Sequence, residues 1–132
     1  MKKIQIDKTN LYVSRLSFGT SHLHQKYSKK KRLEILNLAL DCGITHFDTS
    51  PLYGYGMAEN DLGIVLKNNK NITIASKICL YPHNYYNSIN KVWINKLYQK
   101  INKKISKPIV DYSLNEAEKS LERSLKNLSI ES

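Results

Sequence analysis

Three side chains able to hold or move a proton arrive in order along this chain: Asp48, Tyr53 and Lys77. Asp48 ends the short apolar run 44–48, and Tyr53 follows five positions later in a loop punctuated by Gly54 and Gly56. Lys77 lies at the end of a second apolar run, 72–78. A free phenol, with a pKa of about 10, holds its proton too firmly to be a good donor at neutral pH. An ammonium beside it favours the phenolate and makes it a stronger acid. A carboxylate beside the ammonium keeps that group charged and oriented, because a buried unpaired ammonium sheds its proton. Each residue thus serves the next. The order predicts acid–base chemistry at the mouth of an α/β barrel, where strand ends deliver ionisable groups.

Those groups need strands and helices to hold them. Ile4, Ile6, Leu11, Val13 and Leu16 predict a small amino-terminal β-hairpin around Lys8-Thr9-Asn10, leading into a first barrel strand at 15–19. Ser28 is the predicted cap of a helix running to Cys42, with Leu33, Leu36, Ala39 and Leu40 on one face and Gly43 as its stop. A second strand at 44–48 and a helix at 57–67 follow. The helix stripe is Ala58, Leu62, Val65 and Leu66, and Asn68-Asn69 ends it. The third strand, 72–78, is apolar almost throughout, as suits a parallel strand covered on both faces.

Residues 80–112 depart from this rhythm. Ile89, Trp93, Leu97, Ile101 and Ile105 recur every four positions, while Lys91, Lys96, Lys100, Lys103 and Lys104 lie largely elsewhere on the turn. This predicts a basic amphipathic helix near 88–105, packed on the barrel exterior by its apolar stripe and ended by Lys107-Pro108. A sharper reading makes it a lid or a partner-docking helix. Ser113-Leu114-Asn115-Glu116 reads as a capping box opening a last helix, with Leu114, Ala117, Leu121, Leu125 and Leu128 on one face.

Taken together, Phe18-Gly19-Thr20, the run 43–59 with Leu62-Gly63, Ala75-Ser76-Lys77, and Ser120-Leu121-Glu122-Arg123-Ser124-Leu125 resemble the aldo-keto reductase family. The form Asp48-Thr49-Ser50-Pro51-Leu52-Tyr53-Gly54-Tyr55-Gly56-Met57-Ala58-Glu59 is similar to the family's bacterial branches. The resemblance implies an NADPH-dependent reductase of aldehyde, ketone or sugar carbonyls. Tyr53 would be the general acid, supported by Lys77 and Asp48, and Gly19, Thr20 and Asp48 would lie against the cofactor. It also implies the amino-terminal half of a (β/α)8 barrel. The 132 residues are roughly half of the ~250 that such a barrel usually needs. The expectation is therefore one partial domain over 1–132 with an unclosed barrel, truncated and inactive alone. It would be completed by a complementing barrel half or a second copy. The alternative is a non-catalytic scaffold or interaction protein built on the same fold.

The family's carbonyl-polarising histidine is expected after a fourth strand, and His22, His24, His46 and His83 do not match that position. His46 reads as a hydrogen-bonded core residue, whereas His22 and His24 follow the first strand and could face substrate. Cys42 and Cys79 have no metal-binding spacing, so no metal site is expected, and two free thiols suit a reducing cytoplasm. Lys and Arg number 21 against 11 Asp and Glu, and nine lysines with no acid separate Asp61 from Asp111. These lysines alternate with asparagines, with no arginine-rich patch, which reads as compositional drift and argues against a nucleic-acid partner. No apolar run reaches membrane-spanning length, and no secretory leader is read at Met1-Lys2-Lys3.

Overall fold

The computed structural model describes residues 1–69, 71–86, 88–101 and 107–130. Strands β1 (Lys3–Gln5) and β2 (Tyr12–Ser14) form the expected antiparallel hairpin, with Ile4 opposite Val13. Lys8 takes a left-handed conformation at its turn, φ 58°. The hairpin docks through Ser14. Its buried hydroxyl accepts the amide protons of Thr45 (2.9 Å) and His46 (3.2 Å), so it caps the amino-terminal end of the next strand but one.

Three parallel strands follow: β3 (Ser17–Gly19), β4 (His46–Asp48) and β5 (Thr73–Ala75), in the order β3-β4-β5. Helices α1 (Lys29–Asp41) and α2 (Met57–Leu66) are the crossovers, and each begins within one residue of its predicted start. The Ser28 hydroxyl caps α1 by accepting the Lys31 amide. Gly43, at φ 82°, turns the chain after it. Side chains alternate along β4. Phe47 faces the helices and is fully buried with Leu36, Ala39, Leu62, Val65 and Leu128, while its ring meets Phe18 at 5.9 Å. His46 and Asp48 therefore face the opposite side of the sheet.

Strand β5 is shorter than the predicted 72–78 and only half-buried, not covered on both faces. It is an edge of the described sheet, so one of its flanks has no neighbouring strand to cover it. After it the chain forms an antiparallel ribbon, β6 (Leu80–Tyr81) with β7 (Ile109–Val110), which the sequence did not suggest. Between them lies helix α3 (Ile89–Ile101). The predicted continuation through Lys103, Lys104 and Ile105 lies outside the described residues.

Helix α3 does not pack by its apolar stripe. Trp93, Leu97 and Ile101 are 40%, 60% and 85% exposed, and the inward face carries Val92, Lys96 and Gln99. Those positions are spaced i, i+4 and i+7, one helical face rotated from the apolar one. Polar partners decide the rotation, since Lys96 bonds His24 and Gln99 bonds Tyr55.

Helix α4 (Leu114–Leu128) is turned to one side of the predicted face: Leu128 is buried as expected, but Ser120 and Ser124 are buried with it, and Leu114 and Leu121 are exposed. Close approach to α2 explains the small residues. A Cβ on Gly63 would stand 2.3 Å from the Asn127 carbonyl oxygen. The capping box at its start is half made. The Ser113 hydroxyl accepts the Glu116 amide at 3.4 Å, but the Ser113 amide donates to Asp111 (2.7 Å) and Glu116 pairs with Lys119 (2.8 Å).

Candidate active site

The parallel register brings the ends of three strands level, with Gly19 beside Asp48 and Asp48 beside Ala75. Two residues beyond Ala75, Lys77 turns back across the sheet. Its ammonium donates to both oxygens of Asp48, each at 2.7 Å, and to the Thr49 carbonyl at 3.0 Å. It stands 5.0 Å from the centre of the Tyr53 ring. Asp48, Lys77 and Tyr53 therefore stand together at the ends of the strands.

Both charged groups stay in contact with water, Lys77 39% and Asp48 41% exposed. Burial alone would depress the ammonium's pKa, but the bonds to Asp48 and the approach of Tyr53 outweigh it and raise the pKa above its ordinary value. Lys77 is thus held as a cation beside a phenol. That arrangement can deliver a proton from Tyr53 and accommodate the negative charge left behind.

Of the three residues expected beside a cofactor, Asp48 is bonded by Lys77, and Gly19 is open, with nothing within 4 Å of where a Cβ would project. Thr20 is fully buried. Its amide and its hydroxyl both bond the Asp48 carbonyl at 3.0 Å, and the hydroxyl also meets Thr49 at 3.0 Å. Thr20 thereby fixes the backbone from which Asp48 projects.

The loop after β4 owes its shape to left-handed backbone at Gly54 (φ 61°), Tyr55 (φ 60°) and Gly56 (φ 90°). At Gly54 a side chain would also strike His24, at 2.8 Å. Helix α2 then starts with Glu59 in its first turn, fully buried. Its carboxylate accepts from Ser76 (2.9 Å) and Asn127 (3.1 Å), which ties the residue next to Lys77 to both α2 and α4. The sequence marks Glu59 only as the end of a motif, and an acid in a helix's first turn is ordinarily a solvated group, so its burial carried no local signal. A second buried pair, Arg32 with Asp61 at 2.5 Å, joins α1 to α2, and Arg32 also bonds the carbonyls of Lys26 and Tyr27.

The histidines divide as follows. His46 bonds the Thr73 hydroxyl (2.8 Å) within the sheet, His22 is exposed beside Ser21, and His83 meets the Lys107 carbonyl (3.0 Å). His24 is half-buried and bonds the Lys96 ammonium at 2.6 Å. Burial first, and the Lys96 charge second, push its pKa down to about 4. Cys42 and Cys79 are free thiols. No helix among the described residues is long and apolar enough to cross a membrane.

The aldo/keto reductase family matches residues 15–132. Curated relatives include a pyridoxal 4-dehydrogenase of Microbacterium luteolum, 33% identical over 78 residues (57% of this chain, 23% of that protein). An aldo-keto reductase of Bacillus subtilis is 31% identical over 87 residues, covering 61% of this chain and 26% of the relative. This chain therefore spans about a quarter of their length. Among solved structures, an aldo-keto reductase from Bacillus halodurans in its holo form superposes with a TM-score of 0.75 at 24% identity, over 98% of this chain and 37% of that one. A glycerol dehydrogenase from Gluconobacter oxydans gives 0.71 at 24%, over 98% and 36%. Both similarities speak to the fold, which is part of a (β/α)8 barrel with an unclosed sheet.

Proposed function

The chain belongs to the aldo/keto reductase family, and from that premise we propose that Asp48, Lys77 and Tyr53 form the proton-delivering part of an NADPH-dependent carbonyl reductase. One observation carries this reading: Lys77 is bonded to both Asp48 oxygens while lying 5.0 Å from the Tyr53 ring centre. The cofactor, when bound, supplies the hydride that reduces the carbonyl carbon. Open space above Gly19, level with Asp48, leaves room for its nicotinamide end, and Thr20 serves that contact through its hold on the Asp48 backbone. Tyr53 gives its hydroxyl proton to the carbonyl oxygen as charge develops there. The product is an alcohol and Tyr53 is left as phenolate, which the Lys77 cation stabilises until the proton is restored. Asp48 keeps Lys77 charged and aimed.

The rest of the barrel packs, in this reading, along the open flank of β5. Ile74, Ile78, Leu121, Leu125 and Ile130 line an apolar groove of about 260 Å³ there. The outward turn of the α4 leucines makes sense as a surface for that remainder. The free thiols of Cys42 and Cys79 suit a cytoplasmic setting. A non-catalytic scaffold would have no use for an ion pair aimed at a phenol.

The test is NADPH-dependent reduction of aldehydes, by the chain alone and by the chain with a complementing barrel half, each compared with Tyr53→Phe. Turnover abolished by that substitution supports the assignment. Turnover that survives it removes Tyr53 as the acid, and the lack of both NADPH binding and turnover in either preparation removes the enzymatic reading.

A further inference from the structure

Against the loop that carries Tyr53 lies a half-open cavity of about 190 Å³, bounded by Lys96 and Gln99 on the inward face of α3 and by Pro82, His83, Lys107 and Pro108 beside the ribbon. Leu52 and Gly54, the two neighbours of Tyr53, both line it, as do His24, Lys96 and Lys107. No Asp or Glu is among its lining residues. We propose that this cavity is an oxyanion subsite, which seats a carboxylate or phosphate carried by the carbonyl substrate. The proposal rests on the reductase reading above and deepens it by naming the substrate class.

Lys96 carries the argument. Its ammonium faces the interior, bonded to His24 at 2.6 Å and 5.5 Å from the centre of the Trp93 ring. Among the described residues no carboxylate lies within ion-pair distance of it, and burial lowers its pKa. A half-buried ammonium whose partners among the described residues are an imidazole and an aromatic face keeps much of its desolvation cost. An anion in the cavity would offset that cost directly, with charge-assisted bonds from Lys96 and Lys107. His24 is suited to the arrangement. With its pKa depressed it is neutral at pH 7, so Nε2 accepts from Lys96 and Nδ1 carries the proton. That Nδ1 is fully enclosed and makes no well-formed hydrogen bond, the Ser21 backbone offering only a weak contact. Helix α3 gains a purpose here as well. It turns Lys96 inward while its apolar stripe faces out, a rotation that burial of apolar surface alone would not choose.

Trp93 is the only tryptophan of the chain, so its emission reports on Lys96 directly. The experiment titrates the full chain, without cofactor, with 4-oxobutanoate, with inorganic phosphate, and with butanal as the uncharged counterpart of the first. Saturable change with either anion, and none with butanal at matched concentration, is the expected result; the tighter anion identifies the headgroup. Lys96→Met should weaken anion binding about ten- to a hundredfold. Lys107→Met should weaken it less, and Lys91→Met, on the exposed side of α3, should leave it unchanged. Butanal binding as tightly as 4-oxobutanoate overturns the proposal, as does an unaltered affinity in both Lys96→Met and Lys107→Met. Because this readout needs no turnover, anion binding by a chain that never reduces a carbonyl would sink only the catalytic reading.

Discussion

Glu59 reaches from the first turn of α2 to the Ser76 hydroxyl at 2.9 Å, one residue before the lysine that pairs with Asp48. A buried carboxylate on a helix thereby sets where a strand-end ammonium can stand. Glu59→Ala removes the partner of both Ser76 and Asn127 and leaves those groups short of a bond, at about 1–3 kcal/mol. Chemical denaturation of the variant should show this loss, and turnover should fall with it as Lys77 is released. A variant of unchanged stability and rate would show that Ser76 is held by something else.

Arg32 and Asp61 form a buried charge pair, each almost inaccessible to water. Replacing Asp61 with Ala strands a guanidinium in the core between α1 and α2, a change that costs about 3–5 kcal/mol. The double change Arg32→Leu with Asp61→Leu should be far milder, since it removes both charges at once. Urea midpoints for the two variants decide the matter; equal losses would mean that the carbonyl bonds of Arg32, not its charge, dominate.

Much of this was legible in the sequence, for identifiable reasons. The hairpin, three parallel strands and the starts of α1, α2 and α4 follow from apolar spacing and caps such as Ser28 and Ser113, which are local signals. The convergence of Asp48, Tyr53 and Lys77 was readable because all three fall at or just beyond the ends of neighbouring parallel strands, which lie level. What escaped was set by distant partners. The inward turn of Lys96 depends on His24, 72 positions away, and the serine face of α4 depends on Gly63 and Asn127. The ribbon β6–β7 pairs two-residue segments too short to show any period.

Gly63 puts that dependence to the test. Alanine is ordinarily the better helix former by about 1 kcal/mol. Here the added methyl would meet backbone at 2.3 Å from Asn127 and 2.9 Å from Leu128, atoms that cannot swing aside. Overpacking of this kind costs about 1–3 kcal/mol, so Gly63→Ala should destabilise despite its propensity. A rise in melting temperature would mean that α4 shifts freely on α2.

Lys77 and His24 give opposite dependences on pH. Lys77 has its pKa raised from 10.5, so its contribution to stability is complete below 10.5 and is lost as pH climbs through the folded value. Its exposure makes that contribution small. His24 is depressed from 6.5 to about 4, so between those values the unfolded chain binds the proton and the folded chain does not. Stability should therefore fall as pH drops from 6.5 towards 4, and His24→Gln should flatten that slope. Nearby Lys96, His22 and Arg32 all add to the depression of His24, so Lys96→Met should shift its titration upward. Histidine ring proton shifts followed by NMR against pH would show both effects, and a His24 midpoint near 6.5 in the native chain would refute the enclosed, neutral imidazole.

Tyr53→Phe separates proton delivery from binding. The ring and its packing remain, Lys77 keeps its bonds to Asp48, and only the transferable hydrogen is lost. General-acid contributions are typically about 10²–10⁴-fold, so turnover should fall by that range while cofactor affinity holds within a small factor. Lys77→Met should lower turnover too, but by a different route: the phenol survives without the cation that stabilises its conjugate base. In the reverse direction, alcohol oxidation, Tyr53 must start as phenolate, so raising the pH should recover nothing in Tyr53→Phe and part of the oxidation rate in Lys77→Met, where a more basic medium helps the phenolate form. Equal pH profiles for the two variants would mean that Lys77 acts on the fold alone and not on the phenol it faces.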